Sequence, residues 1–383
     1  MEPVLIRKEV KAMSGHIKNV SYLISDGKIK LVILTKRAAF EAKLICGGNT
    51  YTDRFNDEEP YDRKAHVFVI PADTANENAE FIFSAKRHKH SFLFRSKKFR
   101  LSDAKLYNEK ELLSAYDNGL EPVKNEDSRI CDGVTYSHIL CEDKNGAPVH
   151  VFVTELVPEY ASIYVGTPSD GYESVKVRAT IPDMVEAARN NGKNIVAAVN
   201  ADYFDIFGDF HPSGLCVKNG KVIANPESKR NFIATLNDGS HIITNLTESP
   251  DILKRTVQAA AGLQMIVKDG KISDYAPLEP FSFTRHPRTA AGIKKDGTVI
   301  LTVVDGRIPD YSNGASLVDL AKIMLSLGAQ RALNLDGGGS SAMYTAKDGR
   351  LILHSRPADL FRPKARLIRK DYNSLLVEVH SER

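Results

Sequence analysis

Asx-Gly pairs punctuate the β-rich carboxy-terminal two thirds of the chain, six of them between strand-like segments: Asn145-Gly146, Asn219-Gly220, Asp238-Gly239, Asp269-Gly270, Asp296-Gly297 and Asp348-Gly349. Such pairs favour two-residue hairpins, because these residues tolerate the positive φ that the turn requires. A chain that doubles back this often builds antiparallel sheets, and strand-like segments such as "VTYSHILCED" and "APVHVFVTELV" open the region. The acids in the pairs sit at hairpin tips facing water and are poor catalytic candidates.

Two helices interrupt the strands. Thr180-Ile181-Pro182-Asp183 carries a helix-start pattern, with proline in the first turn and an acid near the positive end of the dipole; Gly192 ends that helix. Ser316-Leu317-Val318-Asp319 starts the second, in which Leu317, Leu320, Met324 and Leu327 recur at helical spacing before Gly328. The expected class is α+β, with mixed, largely antiparallel β-sheets and flanking helices, preceded by a β-rich, sandwich-like domain.

That preceding domain is read from residues 1 to about 105. Lys28–Thr35, Ala39–Gly47, His66–Ala72, Glu80–Ala85 and Ser91–Ser96 are short strand-like segments. Phe81 with Phe83, and Phe92 with Phe94, alternate so that each pair faces one core. The acidic stretch Asp53–Lys64 reads as a solvated loop, residues 109–117 as a short helix, and Glu121–Arg129 as a polar linker. A chain of 383 residues exceeds one ordinary core. The expected division is therefore 1–125, an accessory domain with a helical linker, and 126–383, the main domain.

Composition excludes several classes. A net charge of +4 from 52 basic and 48 acidic residues argues against a dedicated nucleic-acid binder. Lys86–Arg100 holds seven basic residues and no acid, which suits either a polyanion contact or, more simply, a solvated hairpin. No apolar run is long enough to span a bilayer. The opening "MEPVLIRKEVKAMSGHIKNV" has no apolar core of signal-peptide length, so the expectation is a cytoplasmic chain or one whose leader has been removed. Cys46, Cys131, Cys141 and Cys216 form no C-x-x-C pair and read as free thiols. Oligomeric state is left open.

A weak repeat directs attention to two strand ends. Asn200 and Asp336 each lie eight positions beyond a helix-stopping glycine, after a short apolar strand. Ligand groups gather at strand ends in mixed sheets, so Asn200, Asp202 and Asp205 are expected near Asp336. Four clusters stand out: "VNADYFD" (199–205), "TRHPRTAAG" (284–292), "VVDGRIPDYSNGAS" (303–316) and "LNLDGGGSSAM" (333–343). In this order, together with "HPSGLCVKNGKVI" (211–223), they resemble the phosphodiester glycosidase family over roughly residues 133 to 380. The resemblance implies an enzyme that hydrolyses a sugar-1-phosphodiester, releasing the sugar and a phosphomonoester. The tail after Gly349 follows the family pattern loosely, and no role is carried onto Arg356 or Arg362.

The chemistry points the same way. Glycoside cleavage passes through an oxocarbenium-like transition state and usually employs two carboxyl groups. A phosphate departs with little protonation but needs its charge compensated, which arginine does best. Asp336, Asp305, Arg307, Arg288, Asn200 and Asp205 are the expected catalytic set. Arg285, Tyr203, Phe204, Gly214, Gly337, Gly338, Gly339 and Ser340 are the expected substrate contacts.

Each has a plainer alternative. Asp336 and Asp305 could occupy turns, Arg288 a surface ion pair, the glycines a bulge, and Phe204 the core. His211 and His286 precede prolines and suit loop ordering, while Tyr311 suits sugar stacking. No cofactor is required, although Asp202, Asp205 and Asp336 could share a calcium ion. The expected partner is a carbohydrate phosphodiester. Two rival readings are a non-catalytic binder of anionic glycans on the same fold and an ordinary glycoside hydrolase.

Overall fold

The structure is a computed structural model. It describes residues 17–25, 27–35, 41–52, 65–74, 76, 78–86, 94–107, 114, 117–172, 177–205, 210–273, 284–362 and 365–380. The acidic stretch 53–64, most of the helix expected at 109–117, Phe92, and residues 87–93 of the basic stretch lie outside these residues. The chain divides into two compact units near residue 115.

The first unit is the expected sandwich. One sheet orders Ala65–Pro71, Lys28–Thr35, Ile17–Ser25 and Lys105–Tyr107; the other orders Asn49–Thr52, Glu41–Cys46, Glu80–Lys86 and Phe94–Arg100. Alternate residues of the facing strands close one core, in which Ile29, Leu31, Ile33 and Phe68 meet Leu44, Phe81, Phe83 and Phe99. Phe81 stacks on Phe99 with centroids 5.4 Å apart. Full burial of each such side chain stabilises the fold by about 1.5–3 kcal/mol.

In the second unit these six Asx-Gly pairs turn hairpins, and their glycines have φ between +69° and +89°. An eight-stranded sheet runs in the order Lys271–Ile272, Met265–Lys268, Ala329–Asn334, Arg288–Lys294, Val299–Val304, Pro148–Leu156, Val134–Glu142 and Glu121–Cys131. A five-stranded sheet orders Ala161–Gly166, Ser374–Val379, Ile195–Asn200, Met343–Lys347 and Arg350–Leu353. Another orders Lys221–Ala224, Cys216–Lys218, Thr256–Ala261, Phe232–Leu236 and His241–Thr244. Every pairing described between these strands is antiparallel.

The three sheets enclose a central core, to which Leu301 and Val303, Val199 and Val377, and Ile233 and Ala260 contribute from the respective sheets. The continuous apolar run Val299–Val304 follows from coverage on both faces. Val299, Leu301 and Val303 enter the central core, while Ile300 and Val304 face Leu317, Leu320 and Met324 of the helix Leu317–Ser326. The other helix, Ile181–Asn190, covers Tyr164, Ala198 and Leu376. Both helices begin at a capping box, Thr180 with Asp183 and Ser316 with Asp319, where the expected signals place them.

The stretch expected as a linker is a strand. Glu121–Cys131 pairs with Val134–Glu142 at the edge of the eight-stranded sheet, and its first nine residues are exposed. An edge strand wetted on both faces has linker composition, and its charges discourage edge-to-edge pairing. Asn118 is tied in earlier still: its backbone N–H and Nδ2 donate to Asp319 at 2.8 and 2.6 Å. All four cysteines are free thiols.

Candidate active site

Antiparallel pairing gathers strand ends. Arg288, at the start of its strand, pairs with Val304 at the end of the next, and Ala290 pairs with Asn334. In the five-stranded sheet Asn200 pairs with Ser374. In the third sheet Cys216 pairs with Ala260 and Phe232 with Ala261. Residues just beyond these ends meet across sheets. Leu263 N–H donates to Asn334 O, Gly262 N–H to Asn231 O, Asp336 N–H to Ala201 O, and the Asp202 amide to Asn373 Oδ1, each at 2.9 Å.

Three carboxyl groups converge at this edge. Asp336 follows Asn334 and Leu335; its Oδ1 accepts from the Gly337 amide at 2.8 Å. Burial pushes its pKa up to about 6, against the opposing effects of the Ser340 hydroxyl, Arg369 and the Gly337 amide. Asp202 is buried, and its Oδ2 accepts from the Gly214 amide at 2.8 Å. Burial raises it to about 8, opposed by Arg230 and assisted by the charge of Asp336. Asp371 is buried just before the strand Ser374–Val379 and is raised by burial and then by Asp336. Burial and mutual repulsion thus raise all three carboxyl groups, Asp202 further than Asp336.

Cations line the same place. Arg369 donates from Nε to Asp359 Oδ2 at 2.8 Å and from Nη1 to Ser340 Oγ at 3.3 Å. The buried Arg230 passes beside Gly214, where an added Cβ would lie 3.3 Å from Arg230 Cδ, 3.3 Å from Asp202 Oδ2 and 2.2 Å from the Ala261 Cβ. Arg178 sits 3.6 Å above the Phe210 ring. Among the described residues, Asp202 Oδ1, Ser213 Oγ, Arg230 Nη1, Asn334 Oδ1 and Asp371 Oδ1 are buried with no hydrogen-bond partner. Each such group costs about 1–3 kcal/mol. Five of them around one carboxylate cluster mark a place built for a polar ligand.

The glycines give a ligand access to backbone. Gly338 has φ +64°, a Cβ on Gly337 would strike Pro287 O at 2.8 Å, and one on Gly339 would strike the Asp359 carboxylate at 2.1 Å. The guanidinium of Arg307 lies against Gly338, and its Nε donates to His286 Nδ1 at 3.2 Å. Arg307 itself has φ +58°, a costly backbone for a branched-Cβ-free but non-glycine residue.

Several expected residues do other work. Asn200 is wholly buried, donates from Nδ2 to Asp336 O at 2.7 Å, and accepts from Thr289 Oγ1 at 2.8 Å. Arg288 is buried, with Nε and Nη2 held by the carbonyls of Ala315 and Thr284 at 3.0 and 2.9 Å, so it is no surface ion pair. Arg285 is bound to Asp143 and to Gly314 O. Phe204 packs in the central core, which corrects its assignment as a substrate contact. Tyr203 accepts at its hydroxyl from Asn334 Nδ2 at 2.8 Å. The Asp205 amide donates to His211 O at 3.0 Å. The calcium option for Asp202, Asp205 and Asp336 gains no support, since among the described residues no group of three or more His, Cys, Asp or Glu side chains has a metal-binding arrangement.

Asp305 belongs to a second cluster. Its Oδ2 accepts from the Tyr311 hydroxyl at 3.1 Å and from the Arg356 amide at 2.8 Å. Arg356 lies 3.7 Å above the Tyr311 ring, Tyr311 stacks on His150 at 4.1 Å, and His150 is joined to His138 by a 2.7 Å ring-nitrogen contact. Arg230, Asp359, Arg369 and Asp371 are the site residues that the sequence reading passed over. Arg230 and Asp371 did carry a usable signal, since each stands just outside a short apolar strand, as Asp336 does.

Residues 193–377 match the family model for phosphodiester glycosidase. This segment, just under half of the chain, is similar to the phosphodiester glycosidase family. The catalytic domain of zebrafish N-acetylglucosamine-1-phosphodiester α-N-acetylglucosaminidase has a similar fold, with a TM-score of 0.54, 22% identity, and coverage of 68% of this chain and 89% of that one. An SPbeta prophage-derived uncharacterized protein of Bacillus subtilis, YomE, is 30% identical over 197 residues, which is 48% of this chain and 28% of the Bacillus protein. The matched segment contains Asp202, Arg230, Asp305, Asp336, Arg369 and Asp371.

Proposed function

We propose that this protein hydrolyses a sugar-1-phosphodiester, breaking the bond between the anomeric carbon and the phosphate oxygen. The observation that carries the reading is the convergence of Asp336, Asp202 and Asp371 beside Arg230 and Arg369, with buried polar atoms left unpartnered around them. Two carboxyl roles are needed at an oxocarbenium-like transition state, and environments that push acids apart in pKa assign them. Asp336, the least raised of the three, is the nucleophile or general base. The bond's electron pair leaves with the phosphate, whose charge Arg307 meets across Gly338. Asp202 stays protonated and donates a hydrogen bond to the sugar or to a phosphate oxygen. Water supplies the oxygen that the anomeric carbon gains.

Incubating the protein with UDP-N-acetylglucosamine or an aryl-phosphate glycoside, and assaying free sugar, tests this reading. Turnover is expected, and Asp336→Asn is expected to remove it by about a thousandfold or more, roughly 4 kcal/mol of barrier. Nitrophenyl sugars lacking phosphate should be poor substrates. Good activity on them alone, or full activity of Asp336→Asn, would overturn the proposal.

A further inference from the structure

Two arginine side chains sit in unusual settings at the loop after the strand Val299–Val304: Arg307 within it, and Arg356, from the segment after Arg350–Leu353, packed on its Tyr311. Arg307 adopts φ +58°, and its guanidinium lies against Gly338, two residues beyond Asp336. Its Nε is anchored on His286, while its terminal nitrogens carry no hydrogen bond among the described residues. Arg356 is exposed, yet its position is fixed twice: its amide donates to Asp305 Oδ2 at 2.8 Å, and its guanidinium stacks 3.7 Å above Tyr311. Tyr311 is itself clamped, by its hydroxyl on Asp305 and its ring on His150. The same carboxylate, Asp305, stands two residues before Arg307 and accepts from the Arg356 amide, so both arginines are tied to one loop.

Stacking on a ring holds a guanidinium in place while leaving its N–H edge open. Pre-organised forks of this kind bind phosphate oxygens bidentately. One arginine beside the glycine loop suffices for the phosphate joined to the sugar. A second, brought to the same loop by its stacking on Tyr311, has a use when the leaving group carries another anion.

We infer that Arg307 and Arg356 form a two-point clamp for a diphosphate, so that the preferred substrates are sugars linked to a diphosphate rather than to a singly esterified phosphate. This deepens the proposed function and rests on it for the chemistry, but the clamp can be tested by binding alone.

Inorganic pyrophosphate and inorganic phosphate are titrated calorimetrically into the full chain at fixed ionic strength. Pyrophosphate should bind at least about tenfold more tightly, or about 1.4 kcal/mol. Arg356→Ala should abolish that preference, and Arg356→Lys should restore part of it only, since a point charge replaces a planar fork. In turnover, Arg356→Ala should lose at least about tenfold more kcat/KM on a UDP-linked sugar than on its methyl-phosphate analogue. Equal affinity for the two anions, or an unchanged preference in Arg356→Ala, would overturn the clamp even if both sugars are hydrolysed. A preserved preference with no hydrolysis of either sugar would support the clamp and sink the proposed reaction instead.

Discussion

Asn200 donates from Nδ2 to the backbone carbonyl of Asp336 at 2.7 Å, pinning the end of a strand in one sheet to the end of a strand in another. Its Oδ1 simultaneously accepts from Thr289 Oγ1 and, at 3.3 Å, from the Ala342 amide. Asn200 is therefore a positioning residue for Asp336. Asn200→Ala leaves these buried groups unmet and should cost about 2–4 kcal/mol. Asn200→Asp keeps the shape but cannot donate, so it too should lower Tm and kcat. Wild-type melting of both variants would show that the pin is unimportant.

The stability of the fold should respond to Asp336 in a defined direction. Its pKa is raised to about 6 on folding, from the ordinary 3.8 of an aspartate in water. Such a group stabilises the protein while protonated, below about 4, and that contribution is lost as pH rises through about 6. Asp336→Asn should match wild type in urea melts near pH 4 and exceed it by about 2–3 kcal/mol near pH 7. A variant less stable than wild type at pH 7 would contradict the assigned shift.

Activity should follow a bell in pH. Its acid limb reports ionisation of Asp336 near 6 and its alkaline limb deprotonation of Asp202 near 8. The two groups are electrostatically linked, so the limbs belong to the pair as a whole. Asp202→Asn should flatten the alkaline limb while keeping the acid one. An alkaline limb unchanged in that variant would remove Asp202 from the mechanism.

Gly339 gives a steric test of the glycine loop. An added Cβ would sit 2.1 Å from the Asp359 carboxylate, which is held by Arg369. Gly339→Ala should displace that ion pair and lower kcat/KM about a hundredfold, with a smaller effect on melting.

Much of this architecture was legible in the residues. The Asx-Gly pairs, the two capping boxes and the alternation of Phe81 with Phe83 report local physics, which acts within a few positions. The helix–glycine–strand repeat correctly brought Asn200 to Asp336. Glu121–Arg129 misled because an edge strand and a linker share polar composition. The arginines were harder. Arg288 and Arg285 sit in conspicuous motifs but hold backbone carbonyls and Asp143, whereas Arg230 and Arg369 reach the carboxylates from segments without a motif. Which guanidinium is already engaged depends on contacts between residues tens of positions apart, and local pattern does not encode these.

The central claim is that the bond to the anomeric carbon breaks, at a site centred on Asp336. Hydrolysis of a sugar-1-phosphodiester in water enriched in heavy oxygen, followed by mass spectrometry of both products, tests it most directly. The account predicts the label in the released sugar and none in the phosphomonoester. Label in the phosphomonoester would mean that water attacks phosphorus, and would contradict the assignment of this site to glycosyl transfer.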